Sequence, residues 1–353
     1  MLPQANVLQL SRRCLQLFLL LVLLSGPLRT HACDVCNLFI GVQPNDRFHR
    51  LSLFYRYSAY GGYRNVPGTQ VGNQRHPLFG KTLHDPSLHV QEPTYSDQDR
   101  ELYHTWELRG QFFLAQRWQL LVNVPFQYAE FRIEQERTRA FENGDPTLLL
   151  QYSPIWRESG QNAHRLQVGG GVVLPTGRYA HSRIAETAHL YPGRGAWSGL
   201  LSVGYVHRWN KLGASLNATY RLNTTNRHGF RSTNALNLQA DLFYGFRLDG
   251  PEGRVQLQPQ AGTWYEDSGG DYLHGEWIAG TGGRLLFATT GINLVVERFN
   301  VQANLWLPLH QELFGTQLGN GGRLVMGLGY AFGGAPSGEA GPIPAATSQQ
   351  PAE

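Results

Sequence analysis

The stretch HACDVC sets Cys33 and Cys36 two residues apart, with His31 two positions before the first cysteine. Thiolates and an imidazole so arranged can hold a metal, form a redox pair or, at a processed N-terminus, carry a lipid. The preceding residues narrow the choice. Arg12 and Arg13 form a positive flank, Cys14 to Leu24 an apolar run, and Gly26 and Pro27 break it. This reads as a secretory signal, too short to cross a bilayer. Thr30 and Ala32 are the small residues that cleavage requires, so residues 1–32 are expected to be removed, His31 among them. Thr30 and His31 do not make a lipid-attachment motif, so lipidation of Cys33 is not expected. Cys33 and Cys36 stay in an N-terminal segment, 33–48. Two thiols alone cannot fill a tetrahedral site, and no histidine follows for haem attachment. A Cys33–Cys36 disulfide in an oxidising compartment is the first reading, and metal capture by the same pair the second.

Two further groups could do chemistry. His76, His84, His89 and His104 lie in or beside one long connection with Asp85, Asp97 and Asp99, donors that suit divalent metals. Their spacing matches no zinc or calcium template, and histidines on a solvated loop account for them. His181 and Ser182 share another connection and could serve a hydrolase. No Gly-x-Ser-x-Gly, HExxH or phosphate-binding Gly-Lys-Ser/Thr motif accompanies them, so neither an enzyme nor a cofactor is expected.

These groups hang on elements whose nature the composition already limits. The signal carries Arg12, Arg13 and Arg29 and no acid, so 30 basic residues against 26 acidic become 27 against 26, which gives no reason to expect a nucleic-acid partner. The 41 glycines, 12% aromatic residues and only 16% charged residues of an exported chain point to β-structure meeting a membrane. Alternation supports this. In LGASLNATYRLN one face reads Leu212, Ala214, Leu216, Ala218, Tyr220, Leu222 and the other Gly213, Ser215, Asn217, Thr219, Arg221, Asn223. The next segment sets Leu236, Leu238, Ala240, Leu242, Tyr244, Phe246 and Leu248 against Asn237, Gln239, Asp241, Phe243, Gly245 and Arg247.

About twelve strands follow from the same reading, over 49–60, 102–113, 117–129, 145–153, 164–175, 199–209, 212–224, 234–248, 253–266, 280–295, 299–309 and 322–332. The intervening connections run long and short in turn, about forty residues, then three, fifteen, ten, twenty-three, two, nine, four, thirteen, three and twelve. Long extracellular loops and short periplasmic turns belong to a transmembrane antiparallel up-and-down β-barrel of the bacterial outer-membrane type; a soluble sandwich has no reason to alternate this way. An even strand number puts both barrel ends in the periplasm. The last strand, RLVMGLGYAF, ends on Phe332, an aromatic terminus like the signal read by the outer-membrane assembly machinery. The Gly/Pro/Ala-rich residues 333–353 after it read as a disordered tail.

The order GDPTLLLQYSP (Gly144 to Pro154), VVLPTGRYA (Val172 to Ala180) and YPGRGAW (Tyr191 to Trp197) resembles the outer-membrane barrel family named after the phenol-degradation meta pathway, over roughly residues 100–332. That resemblance implies a transporter related to channels for hydrophobic compounds. The residues themselves read as architecture: Gly144 and Asp145 open a strand, and Pro175, Thr176 and Gly177 stop one.

With the apolar face toward the lipid bilayer, the polar face lines the lumen. Arg56, Glu107, Arg109, Asn123, Arg221, Asp241, Arg247 and Gln258 are the lumen candidates, a mixture suited to water and polar solutes and in tension with a purely hydrophobic cargo. Tyr55, Tyr57, Tyr60, Trp106, Tyr128, Tyr152, Trp209, Tyr265, Trp306 and Tyr330 are assigned to interfacial girdles. The expectation is an outer-membrane channel or passive transporter, residues 49–332, for a small-molecule solute, hydrophobic or aromatic by the family's implication. The alternative is a non-conducting barrel with a binding or structural role, closed by NLFIGVQPNDRF or tied to metal through the CxxC and the first loop.

Overall fold

The computed structural model describes residues 48–65, 96, 98–133, 136–159, 162–179, 190–250 and 253–333. The signal, Cys33, Cys36, His76, His84, Asp85, His89, Asp97, His181, Ser182 and the tail beyond Gly333 lie outside them.

The strands are β1 (His49–Arg64), β2 (Arg100–Ala115), β3 (Trp118–Ile133), β4 (Glu136–Asn143), β5 (Thr147–Ser159), β6 (Asn162–Val173), β7 (Ser198–Trp209), β8 (Leu212–Asn223), β9 (Phe230–Arg231), β10 (Ala235–Tyr244), β11 (Phe246–Gly250), β12 (Gly253–Ser268), β13 (Tyr272–Leu273), β14 (Glu276–Trp277), β15 (Gly283–Val296), β16 (Phe299–Leu313) and β17 (Gln317–Phe332). Fourteen of them form one antiparallel sheet. Both β4 and β5 pair with β3, and both β10 and β11 with β12, so each couple is one wall strand with an interruption. That leaves twelve wall strands, each beside its sequence neighbour. The first and last meet along a seam from His49↔Phe332 to Arg64↔Gln317, which closes the barrel. The interruptions have local causes: Pro146 offers no N–H to the ladder, and Gly245 supplies no side chain to pack. β9, β13 and β14 form a small separate sheet among the connections.

At one end, five connections are two residues long, 116–117, 160–161, 210–211, 251–252 and 297–298. Asn210 and Glu297 open two of them with φ of 58° and 51°, the mirror-image turn sense that suits strand twist. At the other end, 65–99, 174–197, 224–234 and 269–282 are long. Two expected loops there are strand instead. The connection after the third wall strand shrinks to 134–135 and the last to 314–316, because β3, β4, β16 and β17 continue upward. A ladder above the bilayer needs no apolar face, so its sequence loses the alternation by which strands are recognised.

The buried face is the concave one. Arg323 on β17 binds Glu266 on β12 although β15 and β16 lie between them in the sheet, a reach available only across the interior. Leu51, Leu53, Leu108, Leu201, Leu216 and Leu242 are exposed on the opposite face, as a lipid-facing surface requires.

Candidate functional site: the barrel interior and its mouth

Because side chains alternate, each wall strand sends every second residue inward, and the interior is polar along most of its circumference. Arg56 (β1) donates to Glu107 (β2) at 3.1 Å, and Arg109 Nε donates to the other carboxylate oxygen at 2.9 Å. Glu107 thus sits between two guanidinium groups. Arg109 also lies 4.2 Å over the Phe54 ring. Farther round, Arg165 (β6) donates to Gln119 (β3) at 3.0 Å, Gln119 to Gln151 (β5), and Gln151 to Ser202 (β7), a chain of side chains across four strands. Asp241 (β10) accepts from Thr289 (β15) at 3.1 Å and from Gln239. Gln258 (β12) accepts from Asn293 (β15) at 3.1 Å.

Glu266 and Arg323 form a bidentate pair, at 2.6 and 3.1 Å, with both side chains 2% exposed. Trp264 Nε1 donates to Glu266 at 2.8 Å, and the Arg323 guanidinium lies 4.5 Å over Phe287. Trp264 and Trp306 stack at 4.6 Å. Phe54, Trp264, Phe287 and Trp306 therefore make an aromatic wall on one side of an interior that also holds these polar networks and two smaller apolar clusters.

Among the sequence-derived lumen candidates, Arg56, Glu107 and Arg109 come together, and Asn123, Asp241 and Gln258 are buried on the inner face. Arg221 is half-buried, and Arg247 is exposed at the short-turn end opposite Gln256. Two girdle assignments fail. Tyr60 and Trp306 are 0% and 2% exposed inside the barrel, because each shares the parity of an inward neighbour, Arg56 and Asn304 respectively. The same parity rule could have found Glu266, which continues the row of Gln256, Gln258 and Gln260, and Arg323, which shares a face with Val325. His104 and Asp99 fall on opposite faces of the sheet, His104 with Tyr55 at 2.8 Å outside and Asp99 with Tyr63 at 3.0 Å inside.

The mouth at the long-loop end is built from the glycine-rich motifs. Asp145 accepts from Gly177 N at 2.8 Å and from Arg194 N at 2.9 Å, so one carboxylate holds both limbs of the 174–197 connection. Arg178 N donates to Asn143 O at 3.0 Å and Gly193 N to Arg178 O at 2.9 Å. A Cβ at Gly177 would lie 2.5 Å from the Gly144 carbonyl carbon, so no other residue fits where these backbones cross. From this knot the connection turns inward. Leu190 packs with Tyr60, Tyr103, Ala129, Phe131 and Leu318, the inward residues of β1, β2, β3 and β17. Leu190 thereby covers part of the mouth. Replacing Gly177 by valine is expected to force the crossing apart, seen as faster proteolysis of the 174–197 connection while the barrel still resists heat in detergent.

A family model described as "Putative MetA-pathway of phenol degradation" matches residues 90–308. No curated protein matches the sequence. Among solved structures, the COG4313 outer membrane channel from Pseudomonas putida F1 superposes with a TM-score of 0.58 at 16% identity, over 83% of this chain and 100% of that one. The β domain of the Bordetella autotransporter BrkA gives 0.43 at 11% identity, over 81% and 100%. The first likeness is one of fold. The family match spans more than half of the sequence and contains the Gly144–Asp145, Pro175–Gly177 and Tyr191–Trp197 knot, and the chain belongs to that family.

Proposed function

We propose that this protein is an outer-membrane channel through which small solutes pass passively, entering at the long-loop mouth and leaving at the short-turn end. The observation that carries the reading is the interior itself, where amides and paired charges replace a solid apolar core. Such groups can exchange hydrogen bonds with a passing solute or with water. The aromatic wall of Phe54, Trp264, Phe287 and Trp306 favours aromatic or hydrophobic solutes, in keeping with the family's description. Arg56, Glu107, Arg109, Asn123, Arg221, Asp241, Arg247 and Gln258 would line the path. On this reading residues 1–32 direct export, the assembly machinery inserts the barrel, both barrel ends face the periplasm, and Cys33 and Cys36 form a periplasmic disulfide. Mass spectrometry of the mature protein should show an N-terminus at Cys33 and a mass two hydrogens below that of the dithiol.

A second reading has its own support. Glu107, Glu266 and Arg323 are only about 1–2% exposed, which favours a non-conducting barrel. Planar-bilayer recording of the refolded protein separates the two. Discrete conductance steps, with vesicle uptake of phenol faster than in protein-free controls, are the expected result. A bilayer that stays sealed at every salt and voltage leaves only the non-conducting reading.

A further inference from the structure

The outer surface of β2, β3 and β4 at the long-loop end is ordered into rows by the strand register. Tyr57, His104, Tyr128 and Phe141 stand side by side in one row. The next row holds Leu102, Glu130 and Arg139, and the one above it Arg100, Arg132 and Arg137. Trp118, in ring contact with Tyr152, marks the other girdle on the same strand. Ten residues separate Trp118 from Tyr128. At ~3.3 Å per residue and a tilt of about 40°, that is a rise of about 25 Å, the height of the apolar band on such barrels. The arginine row then stands about 10 Å higher, at the depth of the headgroups.

Three arginines directly opposite one another repel, and such a row costs stability unless an anion neutralises it. Glu130 binds Arg137 at 2.6 Å and Arg139 at 3.2 Å, one carboxylate for two guanidinium groups. Arg100 and Arg132 make no ion pair among the described residues. The nearby acids among the described residues point the other way. Asp99 and Glu101 take the hydroxyls of Tyr63 and Tyr103 on the inner face, and Glu136 and Glu142 share the inward parity of β4. Counted over the described residues, Arg100, Arg132, Arg137 and Arg139 against Glu130, the outward patch therefore keeps a surplus of about three positive charges. Below it lie Phe141, 62% exposed, and Phe126 and Leu108, 38% and 44% exposed.

We infer that this face is a docking site for a phosphorylated, multiply acylated glycolipid of the leaflet on the long-loop side. Its phosphates would be held by the forks of Arg100, Arg132, Arg137 and Arg139, and its acyl chains by Phe126, Phe141 and Leu108. Planar guanidinium groups bind phosphate oxygens in pairs, which suits a fixed row better than a diffuse counter-ion cloud. The inference rests on the membrane placement proposed above, but not on conduction, because every residue in it faces outward.

The test uses the full-length protein refolded in detergent and titrated with bisphosphorylated lipid A, followed by tryptophan fluorescence and by the thermal unfolding midpoint. The wild type is compared with Arg100→Gln/Arg132→Gln. Without lipid the variant should unfold at the same temperature or higher, because a repulsion has been removed. With lipid A the wild type should bind about ten-fold more tightly than the variant or better, and only the wild type should gain a clear rise in midpoint. Lipid A stripped of both phosphates should bind the two proteins equally weakly. Equal affinity of wild type and variant for bisphosphorylated lipid A would overturn the site. So would displacement of the lipid by millimolar inorganic phosphate, which would mark a simple anion patch. Should the double variant not refold, Arg132→Gln alone carries the same comparison. A sealed bilayer in the conductance experiment leaves this result untouched, so the two readings fail separately.

Discussion

Arg323→Met will lower the stability of the folded barrel by about 3–5 kcal/mol, the usual cost of removing one partner from a buried ion pair. Arg323 gives Glu266 two hydrogen bonds, gives Asn320 one, and lies against Phe287. Among the described residues, its loss leaves the Glu266 carboxylate with Trp264 Nε1 as its remaining donor in an almost fully buried site. Adding Glu266→Gln should recover most of that loss, because glutamine keeps an acceptor for Trp264 and carries no charge. Urea unfolding in phospholipid vesicles measures both variants. A single variant within about 1 kcal/mol of the wild type would mean that water reaches this pair and that the interior is wetter than its burial implies.

Asp145→Ala will release the mouth. The side chain accepts two backbone N–H groups, one from each limb of the inward connection, and each such bond to a charged acceptor contributes about 1.5–3 kcal/mol. A loss of about 3 kcal/mol raises the open population of the connection roughly a hundredfold. Leu190 would then leave its place among Tyr60, Tyr103 and Phe131 more often. Larger single-channel conductance and faster backbone amide exchange in 190–197 are the expected signs, with Asp145→Asn intermediate because one acceptor remains. Unchanged conductance together with faster exchange would show that the connection does not limit passage.

How much of this was open to sequence reasoning depends on where each residue stands relative to the bilayer. Inside the band, lipid and lumen impose opposite requirements on alternate residues, so strands such as β8 and β10 are plain in the sequence, and parity alone places Arg56, Glu107 and Asp241 on the inner face. Above the band that requirement lapses. ERTRAFEN, rich in charges, looks like a loop and is strand β4, held by its register with β3 rather than by an apolar face. The girdle assignment of Trp306 failed for a related reason. Its aromatic type suits a girdle, but its parity with Gln302 and Asn304 sets it inside, where a tryptophan is at home against Trp264. The Asp145 knot was legible as punctuation but not as an assembly. Nothing in GDP, PTG or YPGRG states that one carboxylate will bind the other two segments, since that contact is fixed only when β5, β6 and β7 lie side by side.

The seam between β1 and β17 bears on how the protein is made. His49 and Phe332 must meet across nearly the whole length of the chain, so the ladder cannot be completed until the last strand has been delivered. Until then both terminal strands offer unpaired backbone edges, with an alternating apolar face beside them, to any other chain nearby. Slow, long-range closure of this kind makes the unclosed intermediate prone to aggregate. Shortening β17 would therefore cost far more in yield than in the stability of those molecules that do close.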